Sequence, residues 1–234
     1  MLIFLDTEFT KLPAYGSRAS LISIGMVSED GQHEFYAELP EDDGWTLEQC
    51  SNFVIYGVLP LLNAPRKYTR DELQAALRAW FAALPRSVTA ACDFELDFRF
   101  LIEALGDPLP ANLAPKHFDL APFIALTAYN TAVNQYYTPD HPPHHALTDA
   151  HAHRRGWLAW GSSENRALRD IKAEFDLPEK VSKALIRLVQ KNGDQLPIFH
   201  DGESSFFEFM ETDRIPEKTV IRIQEIVKAA FGVR

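Results

Sequence analysis

Apolar residues open the chain as a short run, Leu2 to Leu5, interrupted by Asp6 and Glu8. That pattern predicts a buried strand with acids at its end. A second run, Leu21 to Val27, and a third segment, His33 to Leu39, flank Asp30-Gly31, a strong hairpin signal, so the opening reads as a three-stranded, mainly antiparallel unit. Residues 45–62 carry Phe53, Val54, Val58, Leu59, Leu61 and Leu62, but Pro60 limits any helix to a short piece followed by a loop. Thr69-Arg70-Asp71-Glu72 has the form of a capping box, and Leu73, Leu77, Trp80, Phe81 and Leu84 follow at helical spacing. Ser87 to Cys92 reads as a buried strand, Phe94 to Leu105 as a helix, and His117 to Leu120 as a short strand ending at Pro122. His144 to Trp160 reads as a further helix, after a loop holding Pro139, Pro142 and Pro143. From about residue 162 onward the pattern is helical only. Leu168, Ile171 and Phe175 share one face, and a helix starts at Leu177-Pro178 with Val181, Leu185, Leu188 and Val189 on its apolar side. The last helix carries Val220, Ile221, Ile223, Ile226, Val227 and Phe231 and stops at Gly232.

Strands first in a meander and then alternating with helices predict an α/β fold: a mixed sheet flanked by helices over residues 1–160, with an all-helical appendage over 161–234. Composition agrees with a globular protein, since 46% of the 234 residues are hydrophobic and 24% charged. The opening apolar run is too short for a membrane span and lacks the basic flank of a secretory signal. The two cysteines, Cys50 and Cys92, lie in no metal or redox spacing, so a reducing, cytoplasmic setting without a membrane partner is expected. A net charge of −10 argues against broad coating of nucleic acid, which relies on many basic contacts to phosphate. It leaves open an enzyme that grips only a strand end. Of the 23 Lys and Arg residues, 12 lie beyond residue 160, so a change of role there is expected.

Candidate chemistry starts at Asp6 and Glu8. Side chains alternate along a strand, so both carboxylates project from one face, where they repel unless a proton or a cation sits between them. A hard divalent cation that leaves positions for water and phosphate fits such a pair. Two more acidic segments follow: Asp93-Phe94-Glu95-Leu96-Asp97 directly behind a strand, and His144-His145-Ala146-Leu147-Thr148-Asp149 at a helix start. Each has a plainer explanation. Asp97 and Asp149 could be solvated acids in first helical turns. Five of the eight histidines (141, 144, 145, 151 and 153) lie in one patch, which makes a transition-metal site a competitor. The absence of paired cysteines and of a His-Glu-x-x-His pattern weighs against zinc.

Taken together these segments resemble the DEDD exonucleases with a histidine in the third motif, 3′-to-5′ nucleases on a ribonuclease H-like fold. Asp6 and Glu8 match the first motif and Asp97 the second. Here Asp93 stands where the family often has Asn, and Leu96 where it often has Phe, which leaves Asp93 a rival to Asp97. His144 and Asp149 match the third motif, His-x-Ala-x-x-Asp-Ala. The resemblance implies that Asp6, Glu8, Asp97 and Asp149 gather two Mg²⁺ or Mn²⁺ ions and that His144 takes a proton from the attacking water. Within a regular helix His145, four residues before Asp149, would align better with it; His144 is preferred because it follows Pro142-Pro143 and is expected in the loop before the helix. Leu21 to Gly25 and the Phe53 to Leu62 stretch also resemble a small bacterial exoribonuclease subset, which implies RNA ahead of DNA.

The expected partners are therefore single-stranded RNA or DNA 3′ ends, with Thr7, Phe9 and Thr10 as candidate substrate contacts. Phe9 is equally a core residue. A noncatalytic binding or regulatory module on the same fold is the alternative of a different class, and a zinc hydrolase using the histidine patch is the third. For the helical tail, packing on the sheet or self-association into a homodimer is expected ahead of nucleic-acid recognition.

Overall fold

In the computed structural model, residues 1–13, 18–85, 87–175, 177–192 and 217–231 are described. The described chain divides into two compact units, Met1–Ala125 with Asn130–Gly156, and Leu126–Tyr129 with Trp157–Arg234.

The first unit is built on a five-stranded mixed sheet in the order β3-β2-β1-β4-β5, formed by β1 (Leu2–Phe9), β2 (Leu21–Ser28), β3 (Glu34–Glu38), β4 (Thr89–Cys92) and β5 (Phe118–Asp119). β1 lies at the centre, antiparallel to β2 and parallel to β4. β2 is antiparallel to β3 and β4 is parallel to β5. Ile3, Phe4 and Leu5 are all fully buried, as expected of a strand with both faces covered. Odd positions Ile3 and Leu5 join a core with Leu77 and Phe81 of α1 (Arg70–Ala83) and Leu101 and Leu105 of α2 (Glu95–Leu105). The capping box that starts α1 is formed, with the Thr69 side chain accepting from Glu72 N–H and the Glu72 carboxylate accepting from Thr69 N–H.

Two helices follow β5: α3 (Ala121–Ile124) and α4 (Thr127–Tyr136). The sequence pattern does not show α4, because its apolar positions are sparse and polar residues such as Asn130, Thr131 and Asn134 fall between them. α5 (Ala146–Phe175) runs for 30 residues without interruption. The separate segments expected at His144–Trp160 and around Leu168–Phe175 are thus one helix, and residue 161 falls inside it. No Pro lies between them, and Gly161 costs a helix interior only ~1 kcal/mol, too little to break it. The short helix and loop expected over 45–62 is a set of single turns: Leu47–Gln49 and Leu59–Leu61 are 3-10 helical and Val54–Val58 is π-helical.

α5 reaches the sheet at one close approach. Gly25 pairs directly with Asp6, and a Cβ on Gly25 would collide with the backbone of Ala146 and Leu147. The missing side chain lets the first turn of α5 rest on β2 beside the end of β1. Farther along, Arg154 Nε donates to the carbonyls of Ser28 and Glu29, which fixes the helix over the end of β2.

The second unit is helical where described. α6 (Glu179–Asn192) and α7 (Glu217–Phe231) bury Leu185, Ile186, Ile223 and Val227. Arg222 on α7 bonds Glu174 of α5 at 2.9 Å. Gly232, the expected helix stop, lies outside the described residues. No described helix is long and apolar enough to cross a membrane.

Candidate active site

Strand alternation sorts the acids. Phe4, Asp6 and Glu8 lie on one face of β1, the face toward α5, and Thr7 lies on the other. Because β4 runs parallel with Phe4 opposite Ala91, Asp93 just beyond the strand continues on the Asp6 side. Asp97 comes instead from the first turn of α2, and its Oδ1 accepts a 2.6 Å hydrogen bond from the Thr7 hydroxyl. It is only 2% exposed, so it is not a solvated helix-start acid.

From α5 comes Asp149, itself buried. Its Oδ2 accepts the backbone N–H of His144 at 2.9 Å, and the Tyr137 hydroxyl also bonds this carboxylate. Its Oδ1 is buried with no hydrogen-bond donor. His144 precedes the helix in a left-handed backbone conformation, φ 67°, which frees its ring from the helical register. Ligand atoms of Glu8, His144 and Asp149 all lie within 4.8 Å of one another. His145 goes elsewhere: it is buried, stacks on Tyr36 at 4.5 Å and meets Asn63 Oδ1 at 3.2 Å. Burial holds its imidazole below the ordinary range.

Electrostatics tie these groups into one site. Burial and, after it, Asp149 and Asp97 push the Glu8 carboxyl up to about 8. Asp6 is raised well above the carboxylate range, first by burial and then by Asp97, Asp149, Glu8 and Asp93. Burial lifts Asp97 to about 7 despite the opposing Thr7 hydrogen bond, and Asp149 is raised for the same leading reason. Burial makes all four carboxyls costly to ionise, and for Asp6 and Glu8 the neighbouring acids add to that cost, which a divalent cation would relieve.

The candidate substrate contacts separate. Thr7 positions Asp97. Phe9 packs at ring distances of 5.6 Å from Phe100 and 6.3 Å from Phe94, within the core side of the sheet. Thr10 is fully buried, its Oγ1 accepting from Ser20 N–H, which closes the loop behind β1. An aromatic ring that sequence reasoning passed over is better placed: Phe53 is 57% exposed and meets the His144 ring edge-on at 4.8 Å. Its sequence signal is its place at the head of the apolar Phe53 to Leu62 stretch.

The histidine patch disperses. His141 contacts Thr138, His151 pairs with Glu34 at 3.1 Å, and His153 lies 3.5 Å from Asp93. Among the described residues, each metal-capable group contains one histidine only, which disfavours a multi-histidine zinc centre. No model of a known protein family matches the chain, and no curated protein matches it either.

Proposed function

We propose that this chain is a metal-dependent 3′-to-5′ exonuclease on a ribonuclease H-like fold, releasing nucleoside 5′-monophosphates from single-stranded ends, RNA ahead of DNA. The observation that carries the reading is the convergence of Asp6, Glu8, Asp97 and Asp149, from three separate segments, at one end of the central strand beside His144. The strand order and the mixed sheet are compatible with that fold.

The donor set fits hard divalent ions. Asp149 Oδ1 is a buried oxygen without a donor, and Asp6 and Glu8 add carboxylates on the same side. Asp6, Glu8 and Asp149 would hold Mg²⁺ or Mn²⁺, with Asp97 close by. Bound ions would neutralise phosphate charge and acidify an attacking water. The side chains divide the remaining work. His144, exposed at the rim beside the acids, accepts the water proton on an imidazole nitrogen. The bond from its own N–H to Asp149 keeps the ring beside the acids. Phe53 offers an exposed face on which a terminal base can stack.

The test is digestion of matched, end-labelled RNA and DNA oligonucleotides by chelator-treated protein, with and without added Mg²⁺ or Mn²⁺. Stepwise shortening from the 3′ end that needs the ion and vanishes in Asp6→Asn is the expected result. Nucleic-acid binding without hydrolysis would instead indicate a noncatalytic module, and turnover unchanged in Asp6→Asn would overturn the assignment.

A further inference from the structure

We propose that Asp6, Asp93 and His153 form a nitrogen-bearing seat for a second divalent cation, one that favours Mn²⁺ over Mg²⁺. The seat deepens the exonuclease reading and rests on it for its purpose. Ligand atoms of the three residues all lie within 4.8 Å of one another. An octahedral ion with bonds of ~2.1 Å sets adjacent donors about 2.9 Å apart and opposite donors about 4.2 Å apart, so the three groups would draw closer together on binding it.

Three structural features converge on this seat. The parallel register of β1 and β4 brings Asp93 to the Asp6 side of the sheet, whereas Asp97 arrives from α2 and is bound by Thr7. His153 stands one helical turn beyond Asp149, so the same face of α5 serves both groups. It is 8% exposed, and its Nε2 faces Asp93 Oδ1 at 3.5 Å. The donorless oxygen of Asp149, one turn earlier and nine-tenths buried, belongs to the neighbouring group with Glu8 and His144, so the two groups adjoin along one face of α5. Asp6 belongs to the second group and feels the charge of Glu8 and Asp149 in the first, so it links the two. An imidazole donor changes selectivity: Mg²⁺ prefers oxygen donors, while affinity for a nitrogen-containing site rises from Mn²⁺ along the later first-row ions.

The experiment uses the full chain stripped with chelator and titrated with Mn²⁺ alone. Free Mn²⁺ is followed by electron paramagnetic resonance, and ¹⁴N coupling to bound Mn²⁺ is read by pulsed methods. His144→Ala removes the other nearby imidazole and is expected to retain the ¹⁴N coupling; His144→Ala/His153→Gln is expected to lose it. His153→Gln should bind one of two Mn²⁺ ions at least about tenfold more weakly, since even outer partners of metal ligands are worth about 10–100-fold. Asp93→Asn should weaken the same ion with the ¹⁴N coupling kept. Absence of ¹⁴N coupling in His144→Ala, or unchanged Mn²⁺ affinity in a folded His153→Gln, overturns the seat. Oligonucleotide digestion run in parallel separates the two ideas. Hydrolysis in Mg²⁺ by a protein lacking that coupling removes the seat and keeps the nuclease, whereas two bound Mn²⁺ with the coupling and no hydrolysis removes the nuclease and keeps the seat.

Discussion

Replacing Glu8 by Gln asks whether the fold stores repulsion that only a cation or a proton relieves. The Glu8 carboxyl rises from 4.5 to about 8, first by burial and then by the charges of Asp149 and Asp97. Between those two pH values the folded protein keeps a proton that the unfolded chain has released. The stability this proton supplies is complete below pH 4.5 and is lost as pH rises through about 8. At ~1.36 kcal/mol per pH unit, that span amounts to about 5 kcal/mol for Glu8 considered alone, comparable with the lower end of the roughly 5–15 kcal/mol typical of whole domains. Asp6, Asp97 and Asp149 shift in the same direction and titrate together with Glu8, so the informative quantity is the difference between wild type and Glu8→Gln. Urea unfolding in EDTA, followed by tryptophan fluorescence across that pH range, should show wild-type stability falling as pH rises. The Glu8→Gln curve should fall several kcal/mol less. Saturating Mg²⁺ or Mn²⁺ should flatten the wild-type curve, because an ion bound only to the folded state replaces the proton. A wild-type curve that stays level or climbs in EDTA, or a Glu8→Gln curve parallel to it, would refute the reasoning.

Three further substitutions test individual parts of the site. Gly25→Ala places a methyl group into the backbone of Ala146 and Leu147, so the first turn of α5 must move; a stability loss of about 1–3 kcal/mol or more and near-complete loss of nuclease activity are expected from melts and oligonucleotide assays. Thr7→Val removes the 2.6 Å donor from a buried carboxylate and should cost about 1–3 kcal/mol. Because that bond favours the ionised form of Asp97, the cost should be larger above pH 7 than at pH 5; an equal cost at both would contradict the role given to Thr7. Phe53→Ala should raise KM for oligonucleotides about 5- to 150-fold while changing kcat little, in line with ~1–3 kcal/mol for one stacked base, and an unchanged KM would remove Phe53 from the substrate path.

Local chemistry made much of the framework legible in the sequence. Apolar runs separated by Asp30-Gly31 define the opening hairpin, and Thr69 with Glu72 fixes the start of α1, because turn and cap residues act over a few positions. Alternation along β1 was enough to pair Asp6 with Glu8 on one face. The run of α4 and the full length of α5 were not legible: the first has few apolar positions, and the second crosses a stretch where no breaker stronger than Gly161 marks an end. The site itself depended on contacts far apart in the chain. Only the register of β4 against β1 sets Asp93 on the Asp6 side and leaves Asp97 to the Thr7 hydroxyl, and only the close approach at Gly25 brings Asp149 and His144 to Glu8. Sequence thus determined which residues can bind a cation. Tertiary packing decided which of them stand close enough to share one, because a carboxylate or imidazole can serve as a ligand only with suitable neighbours in space, and those neighbours are set by strand register and helix docking.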